Sequence, residues 1–337
     1  MDNSIQQFDI CVIGAGVSGL FIASKFINIG KKVLLIEESR VIGGQINLYG
    51  EKMVYNIPLI SNIKSRDIVS KIFNEIKDSE NLKLCLHSSV ADISKEGDNY
   101  KINIFDKTTK DNDVFECKYI VIATGKGIQK PNKLPISGSE DFEGKTLFYR
   151  VNDKQIFLNK NIVIAGGGDS VIDWSCELYD IAKTIIVVHR RSIEHPENPQ
   201  FLKFKELCEK GKILTKIPYG ITGLNGENGV LNYIDIINND KEAERINCDF
   251  LLAFYGLKSI QSGVDLYKKI GVNFETKGIK VNIVNNETDV NNIFSVGDCC
   301  YYEGKMDNIV MGFNDCMRCF YEICNRETGK IDCYGHK

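Results

Sequence analysis

Apolar residues are gathered into short runs that stop at glycine, and between those runs the chain takes on helical period. Residues 8–13 and 32–36 read as strands, and residues 16–29 between them as a helix, from run length in the first two and periodicity in the third. The same strand–helix–strand order returns at residues 161–165, 169–180 and 184–189. Between these units, residues 63–76 are amphipathic and predict a helix, while residues 82–90, 92–94 and 100–105 predict strands of a small sheet with a polar turn near 107–113. Residues 119–123 are a further buried strand ending in Thr124-Gly125. Residues 213–221, 230–237, 250–255 and 294–296 add strands, and residues 313–325 a last helix. Residues 41–58 are irregular, rich in glycine and aromatics, and form a candidate ligand loop.

Strands alternating with helices predict parallel sheets. The predicted class is α/β, with two nested Rossmann-like dinucleotide-binding domains. The first, residues 1–126 and 247–337, is interrupted by the second, residues 127–246. The stretch 126–144 contains two of the chain's six prolines and reads as the crossover.

A chain of 337 residues has room for two domains of roughly 150 residues each. With 43% hydrophobic and 26% charged residues it can fill two cores and keep a polar surface. A net charge of −3 argues against nucleic acid as a partner. Twelve cysteines are scattered without a secretory pattern, residues 1–7 are polar, and no apolar run approaches the ~18 residues of a membrane helix. A cytoplasmic protein with reduced thiols, away from the membrane, is expected.

In each unit a glycine turn lies between strand and helix. The first is Gly14-Ala15-Gly16-Val17-Ser18-Gly19. Gly14 permits the tight turn, Gly16 lets a pyrophosphate approach the backbone, and Gly19 lets the helix pack on the strand. Phosphates then meet the positive end of the helix. Glu37 closes the following strand, where a carboxylate accepts hydrogen bonds from ribose hydroxyls, so this unit suits the adenosine half of FAD or NAD. The second turn is Gly166-Gly167-Gly168-Asp169-Ser170-Val171, with valine in place of the third glycine. Its second strand ends in His189-Arg190-Arg191, and paired guanidinium groups there suit the 2′-phosphate of NADPH. Gly297-Asp298, after the strand 294–296, offers a carboxylate for ribityl hydroxyls.

Over nearly its whole length the chain resembles the type 2 ferredoxin/flavodoxin–NADP reductases, the branch built like thioredoxin reductase. The resemblance rests on both glycine turns and on Ile42-Gly43-Gly44-Gln45, Leu48-Tyr49-Gly50-Glu51-Lys52, Ala123-Thr124-Gly125, Asp173-Trp174, Val188-His189-Arg190-Arg191, Val296-Gly297-Asp298, Tyr302-Glu303-Gly304-Lys305 and Gly312-Phe313. It implies a homodimeric FAD-dependent ferredoxin–NADP+ oxidoreductase, in which NADPH delivers a hydride to flavin N5 and single electrons pass to ferredoxin or flavodoxin. Carried over by motif, Ser18, Glu37, Gly44, Gln45, Tyr49, Val90 and Asp298 would contact FAD. Tyr49 would stack on the isoalloxazine ring and His336 would cover its other face. Gln129 stands beside the flavin where the family usually has an apolar residue. Gly166, Gly168, Asp169, Ser170, His189, Arg190 and Arg191 would hold NADPH.

Two other readings compete. A thioredoxin-type disulfide reductase carries a Cys-x-x-Cys before its second glycine turn, and residues 147–153 here contain no cysteine. Cys316-Met317-Arg318-Cys319 has the dithiol spacing at the start of the last helix; buried packing is the favoured reading for this pair and for Cys299-Cys300. The other is a flavin- and NADPH-binding redox sensor that does not turn over. No metal-ligand cluster or Ser-His-Asp set is evident in the sequence, and chemistry carried by cofactors needs neither.

Overall fold

The strand Gln6–Ile13 is buried on both faces. Ile10 and Val12 enter one core, with Phe26 of the helix Val17–Asn28 and Phe320 of the helix Ile309–Thr328; Cys11 and Ile13 enter a second, with Ile102 and Ile120. A central parallel strand covered on both sides reads as such an unbroken apolar run. The computed structural model describes residues 5–54, 57–60, 63–260 and 263–329, the side chains of Leu48, Tyr49, Ile128, Gln129 and Ile260 excepted. The chain forms two units, one of residues up to 128 with those from 259 onward, the other of Gln129–Lys258.

In the first unit the parallel order is Leu82–Cys85, Val33–Ile36, Gln6–Ile13, Asn112–Ile122, Ile293–Ser295. Strand order reverses beside Gln6–Ile13, which makes its carboxyl end the switch point where such sheets bind ligands. On its edge away from Gln6–Ile13, Asn112–Ile122 serves two partners: its first half pairs antiparallel with Asn99–Asp106, and its end pairs parallel with Ile293–Ser295. The expected strand 119–123 is therefore the end of a longer one. The expected strand 82–90 is two strands. Leu82–Cys85 joins the parallel sheet, and Ser88–Glu96 pairs antiparallel with Asn99–Asp106, because His87 takes φ 51° and breaks the run.

The second unit repeats the plan, with the parallel order Leu147–Phe148, Phe250–Phe254, Asn161–Gly166, Thr184–Val188, Leu214–Lys216. Ile164 packs with Trp174 of the helix Asp169–Leu178 on one face. Val163 and Ala165 pack with Ile234 and Ile236 of an antiparallel sheet, Tyr219–Glu227, Val230–Asn238 and Ala243–Asn247, on the other. The return to the first unit moves from the expected residue 247 to Ser259. Phe250–Phe254 is the reason: an apolar strand suits either sheet, and it pairs with Asn161–Gly166 from Ile162↔Phe250 to Gly166↔Phe254.

Candidate dinucleotide sites

In the first unit two glycines of the turn, Gly14 and Gly19, have no room for a side chain. Gly14 takes φ 104°, and a Cβ on it would lie 2.6 Å from the carbonyl oxygen of Ala123. A Cβ on Gly19 would fall on the carbonyl oxygen of Gly14. Gly16 starts the helix Val17–Asn28, with no side-chain cap and no acid in the first turn, which leaves the N–H groups and dipole of that end for an anion. The loop that follows docks on the turn: the Gly43 N–H donates to the Ala15 carbonyl at 2.7 Å, and a Cβ on Gly44 would lie 3.1 Å from Gly16 Cα. Gln45 is exposed in the short 3-10 helix Gly44–Tyr49.

Glu37 is buried, and each of its oxygens is used. Oε2 accepts the Ala15 N–H and Oε1 the Ser39 N–H, both at 2.8 Å. The residue expected to bind a ribose therefore also braces the glycine turn. A carboxylate has about four acceptor positions, so it can take ribose hydroxyls as well. The Ser88 N–H donates to the Glu37 carbonyl at 3.0 Å, which brings the strand carrying half-buried Val90 to the same end of the sheet.

Asp298 lies in the single turn Gly297–Cys299. Gly297 takes φ 73°, and a Cβ on it, or on Gly312 of the last helix, would lie 2.6 Å from Ser18 Oγ. Burial pushes the Asp298 carboxyl up, Asp307 adds to this, and Lys305 and Lys126 oppose it. Beneath this turn is a cluster absent from the expected site. Asp315, fully buried, pairs with buried Lys305 and with Arg318 Nη2 at 2.7 Å, and accepts the Tyr302 hydroxyl at 2.9 Å. The Gly297 N–H donates to Asp315 at 3.3 Å and the Gly297 carbonyl accepts from Lys305 at 3.2 Å, so the ion pair holds both backbone polar groups of that glycine. The available signal was an aspartate and an arginine three residues apart in the last helix, together with the lysine of Tyr302–Lys305.

The second turn differs in how its space is filled. Gly166 takes φ 137°, and a Cβ there would fall on the Phe254 carbonyl oxygen. A Cβ on Gly167 would overlap His189 Nε2, whereas Gly168 faces open space. Val171, in place of a third glycine, is wholly buried in the core, so this helix accepts a side chain where the first accepts none. Gly168 starts the helix Asp169–Leu178 without a side-chain cap, and Asp169 lies in its first turn with Ser170 next to it. Burial, then Arg191 and Arg190, lower the pKa of His189. Arg190 and Arg191 are exposed, and among the described residues no ion pair holds either.

Cys316 and Cys319 lie inside the helix Ile309–Thr328, not at its start. Both are fully buried in the first unit's core, and burial raises both thiols well above their ordinary value. Thiols so placed are inert. Cys299 and Cys300 are buried as well. The side chains of Tyr49 and Gln129, and the whole of His336, lie outside the described residues.

Two dinucleotide turns, one in each unit, define a two-nucleotide oxidoreductase. The family model described as pyridine nucleotide-disulphide oxidoreductase matches residues 8–315. A ferredoxin–NADP reductase of Rickettsia canadensis (strain McKiel) is 34% identical over 319 residues, covering 94% of this chain and 92% of that relative. One of Orientia tsutsugamushi (strain Ikeda) is 33% identical over 331 residues, 98% of this chain and 95% of that relative. The thioredoxin reductase structures of Lactococcus lactis and T. acidophilum share the fold, with TM-scores of 0.72 and 0.74 at 23% and 20% identity; they cover 94% and 96% of this chain, and it covers 98% and 99% of theirs. The chain belongs to the pyridine nucleotide-disulphide oxidoreductase family, in its ferredoxin–NADP reductase branch, and is a flavoprotein oxidoreductase. Among the described residues no helix is long and apolar enough to cross a membrane.

Proposed function

We propose that the chain is an FAD-dependent ferredoxin (or flavodoxin)–NADP+ oxidoreductase, with FAD on the first unit and NADPH on the second. The observation that carries this reading is the opposite chemistry at the two turns. Buried Glu37 stands at the first, and exposed Arg190 and Arg191 stand at the second. Carboxylate acceptors suit an unphosphorylated ribose, and guanidinium forks suit a 2′-phosphate.

On this reading Gly14, Gly16 and the start of the helix Val17–Asn28 take a pyrophosphate, Glu37 a ribose, and Asp298 the ribityl chain. Ser18, Gly44, Gln45 and Val90 belong to the same site, and the family resemblance adds Tyr49, Gln129 and His336 around the flavin ring. Gly166, Gly168, Asp169 and Ser170 meet the NADPH pyrophosphate, beside His189. The chemistry a bound flavin supplies is hydride acceptance followed by release of electrons one at a time. The protein's part is to hold each nucleotide at a fixed turn and to keep thiols out of the reaction. Buried Cys316 and Cys319 support an electron-transferring enzyme over a disulfide reductase. Ferredoxin is the partner named for the relatives. A homodimer in the cytoplasm completes the proposal.

The test is anaerobic mixing of the flavin-loaded protein with NADPH or NADH. NADPH is expected to bleach the flavin absorbance far faster at equal concentration. Equal rates would overturn the assignment of the second unit.

A further inference from the structure

Asp315 divides its two oxygens between two tasks. Oδ1 takes the Tyr302 hydroxyl at 2.9 Å and Arg318 Nη2 at 2.7 Å. Oδ2 is given to the turn that carries Asp298: it pairs with Lys305 and accepts the Gly297 N–H at 3.3 Å. Lys305 completes the hold by donating to the Gly297 carbonyl at 3.2 Å. The Asp315 side chain is wholly buried and that of Lys305 is 3% exposed, so water does not compete for these bonds. Gly297 immediately precedes Asp298, and the direction in which the chain enters Asp298 is set by two charged side chains.

The same stretch of the helix Ile309–Thr328 also holds the first glycine turn. The Cys316 thiol donates to the Ser18 carbonyl at 3.3 Å. Ser18 Oγ is wedged between Gly297 and Gly312, 2.6 Å from where a Cβ on either would lie. Gly312, Asp315 and Cys316 lie within about one helical turn of each other. Between them they touch the start of the helix Val17–Asn28 and the turn Gly297–Cys299. A buried ion pair gains little net stability over apolar side chains of the same volume, because both ions give up their hydration. What it adds is direction, since charge-assisted hydrogen bonds to both polar groups of one glycine fix its backbone.

We propose that Lys305 and Asp315 are positioning residues for FAD: through Gly297 they aim the Asp298 carboxylate at the ribityl chain and keep it in register with the glycine turn at Ser18. This rests on the reading of the first unit as the FAD site and of Asp298 as its ribityl contact. The pair acts without touching the nucleotide. Its removal therefore weakens the hold on the flavin half of FAD and leaves the adenosine half alone.

The experiment reads how readily ADP, which has the adenosine and the pyrophosphate but no ribityl chain, displaces FAD from the flavin-loaded full chain. Flavin that passes an ultrafiltration membrane is measured against ADP concentration. The result is an exchange constant in which the fraction of folded protein cancels. A purely structural role weakens both ligands alike and leaves that constant where it is. Asp298→Ala is expected to shift it about tenfold in favour of ADP, and Lys305→Met about three- to tenfold. In the Asp298→Ala background, Lys305→Met should add no further shift, because the two act through one contact. Should Lys305→Met not fold, Lys305→Met/Asp315→Asn, which buries no unpaired carboxylate, takes its place in both backgrounds with the same expected shift. A constant that the pair variants leave unchanged, or that they shift as much without the Asp298 carboxylate as with it, overturns the proposal. The ribityl assignment of Asp298 fails separately, if Asp298→Ala by itself leaves the constant unchanged.

Discussion

Glu37 Oε2 accepts the Ala15 N–H at 2.8 Å, so the residue that closes the second strand also fixes the turn that follows the first. Its other oxygen holds the Ser39 N–H. Glu37→Gln keeps one oxygen and turns an amide N–H₂ towards a backbone donor. A buried donor without a partner costs about 1–3 kcal/mol, which in a domain of this size lowers the melting temperature by roughly 3–10 °C. Thermal unfolding together with the flavin retained after gel filtration checks this, and both should fall. Unchanged values for both would remove Glu37 from the site.

The two glycine turns should respond differently to alanine. At Gly19 the added methyl meets the backbone of Gly14, which cannot step aside. Gly19→Ala is therefore expected to lose flavin and stability together. At Gly167 it meets the His189 ring, a side chain that can rotate. Gly167→Ala should fold, keep its flavin and bind NADP+ more weakly. Titration of both variants with FAD and NADP+ separates the cases; loss of flavin from Gly167→Ala would contradict the account.

Arg190→Ala and Arg191→Ala each remove an exposed guanidinium that no ion pair occupies among the described residues. A hydrogen bond to a charged group contributes about 1.5–3 kcal/mol, so each variant should bind NADPH about 10- to 100-fold more weakly and NADH almost unchanged. Equal losses for both nucleotides would contradict a 2′-phosphate contact.

Cys316 and Cys319 are wholly buried with raised thiol pKa values. The double variant Cys316→Ala/Cys319→Ala should retain turnover with NADPH and ferredoxin, at a stability cost of about 1–3 kcal/mol from lost packing. In the folded wild type, mass spectrometry after treatment with a thiol reagent should find both unmodified. Loss of turnover by a folded double variant would revive the dithiol reading.

Lys305 and Asp315 hold the backbone N–H and carbonyl of Gly297 from within the core. Lys305→Met leaves the fully buried Asp315 with one cation, Arg318, beside the Tyr302 hydroxyl, the Gly297 N–H and the Cys300 thiol. Breaking such a pair from one side costs about 3–5 kcal/mol. Replacing both, as Lys305→Met/Asp315→Asn, should restore part of the loss, since the fully buried group that loses its lysine no longer carries a charge and the cation left over, Arg318, is partly exposed. Denaturant unfolding of the three proteins tests this, and additive losses would contradict it.

The order of strands and helices and both glycine turns were legible because their signals are local: apolar runs, a fixed glycine spacing and the residue that ends the second strand. Three features were not. Phe250–Phe254 has the composition of a strand from either sheet, and only its pairing with Asn161–Gly166 assigns it. The split at His87 depends on one residue with positive φ. The Lys305–Asp315 cluster depends on a loop folding back on the last helix, which spacing along the chain does not encode. Glu37 was placed correctly at the end of its strand, but its grip on Ala15 is a tertiary contact across 22 residues.

The central claim is that electrons pass from NADPH through a flavin held by this chain to a one-electron acceptor protein. The most direct measurement is stopped-flow absorbance in two anaerobic steps. The account predicts that NADPH rapidly bleaches the bound flavin, and that ferredoxin or flavodoxin, added next, restores its absorbance as the acceptor is reduced. A flavin that NADPH leaves oxidised, or that neither acceptor reoxidises, would contradict it.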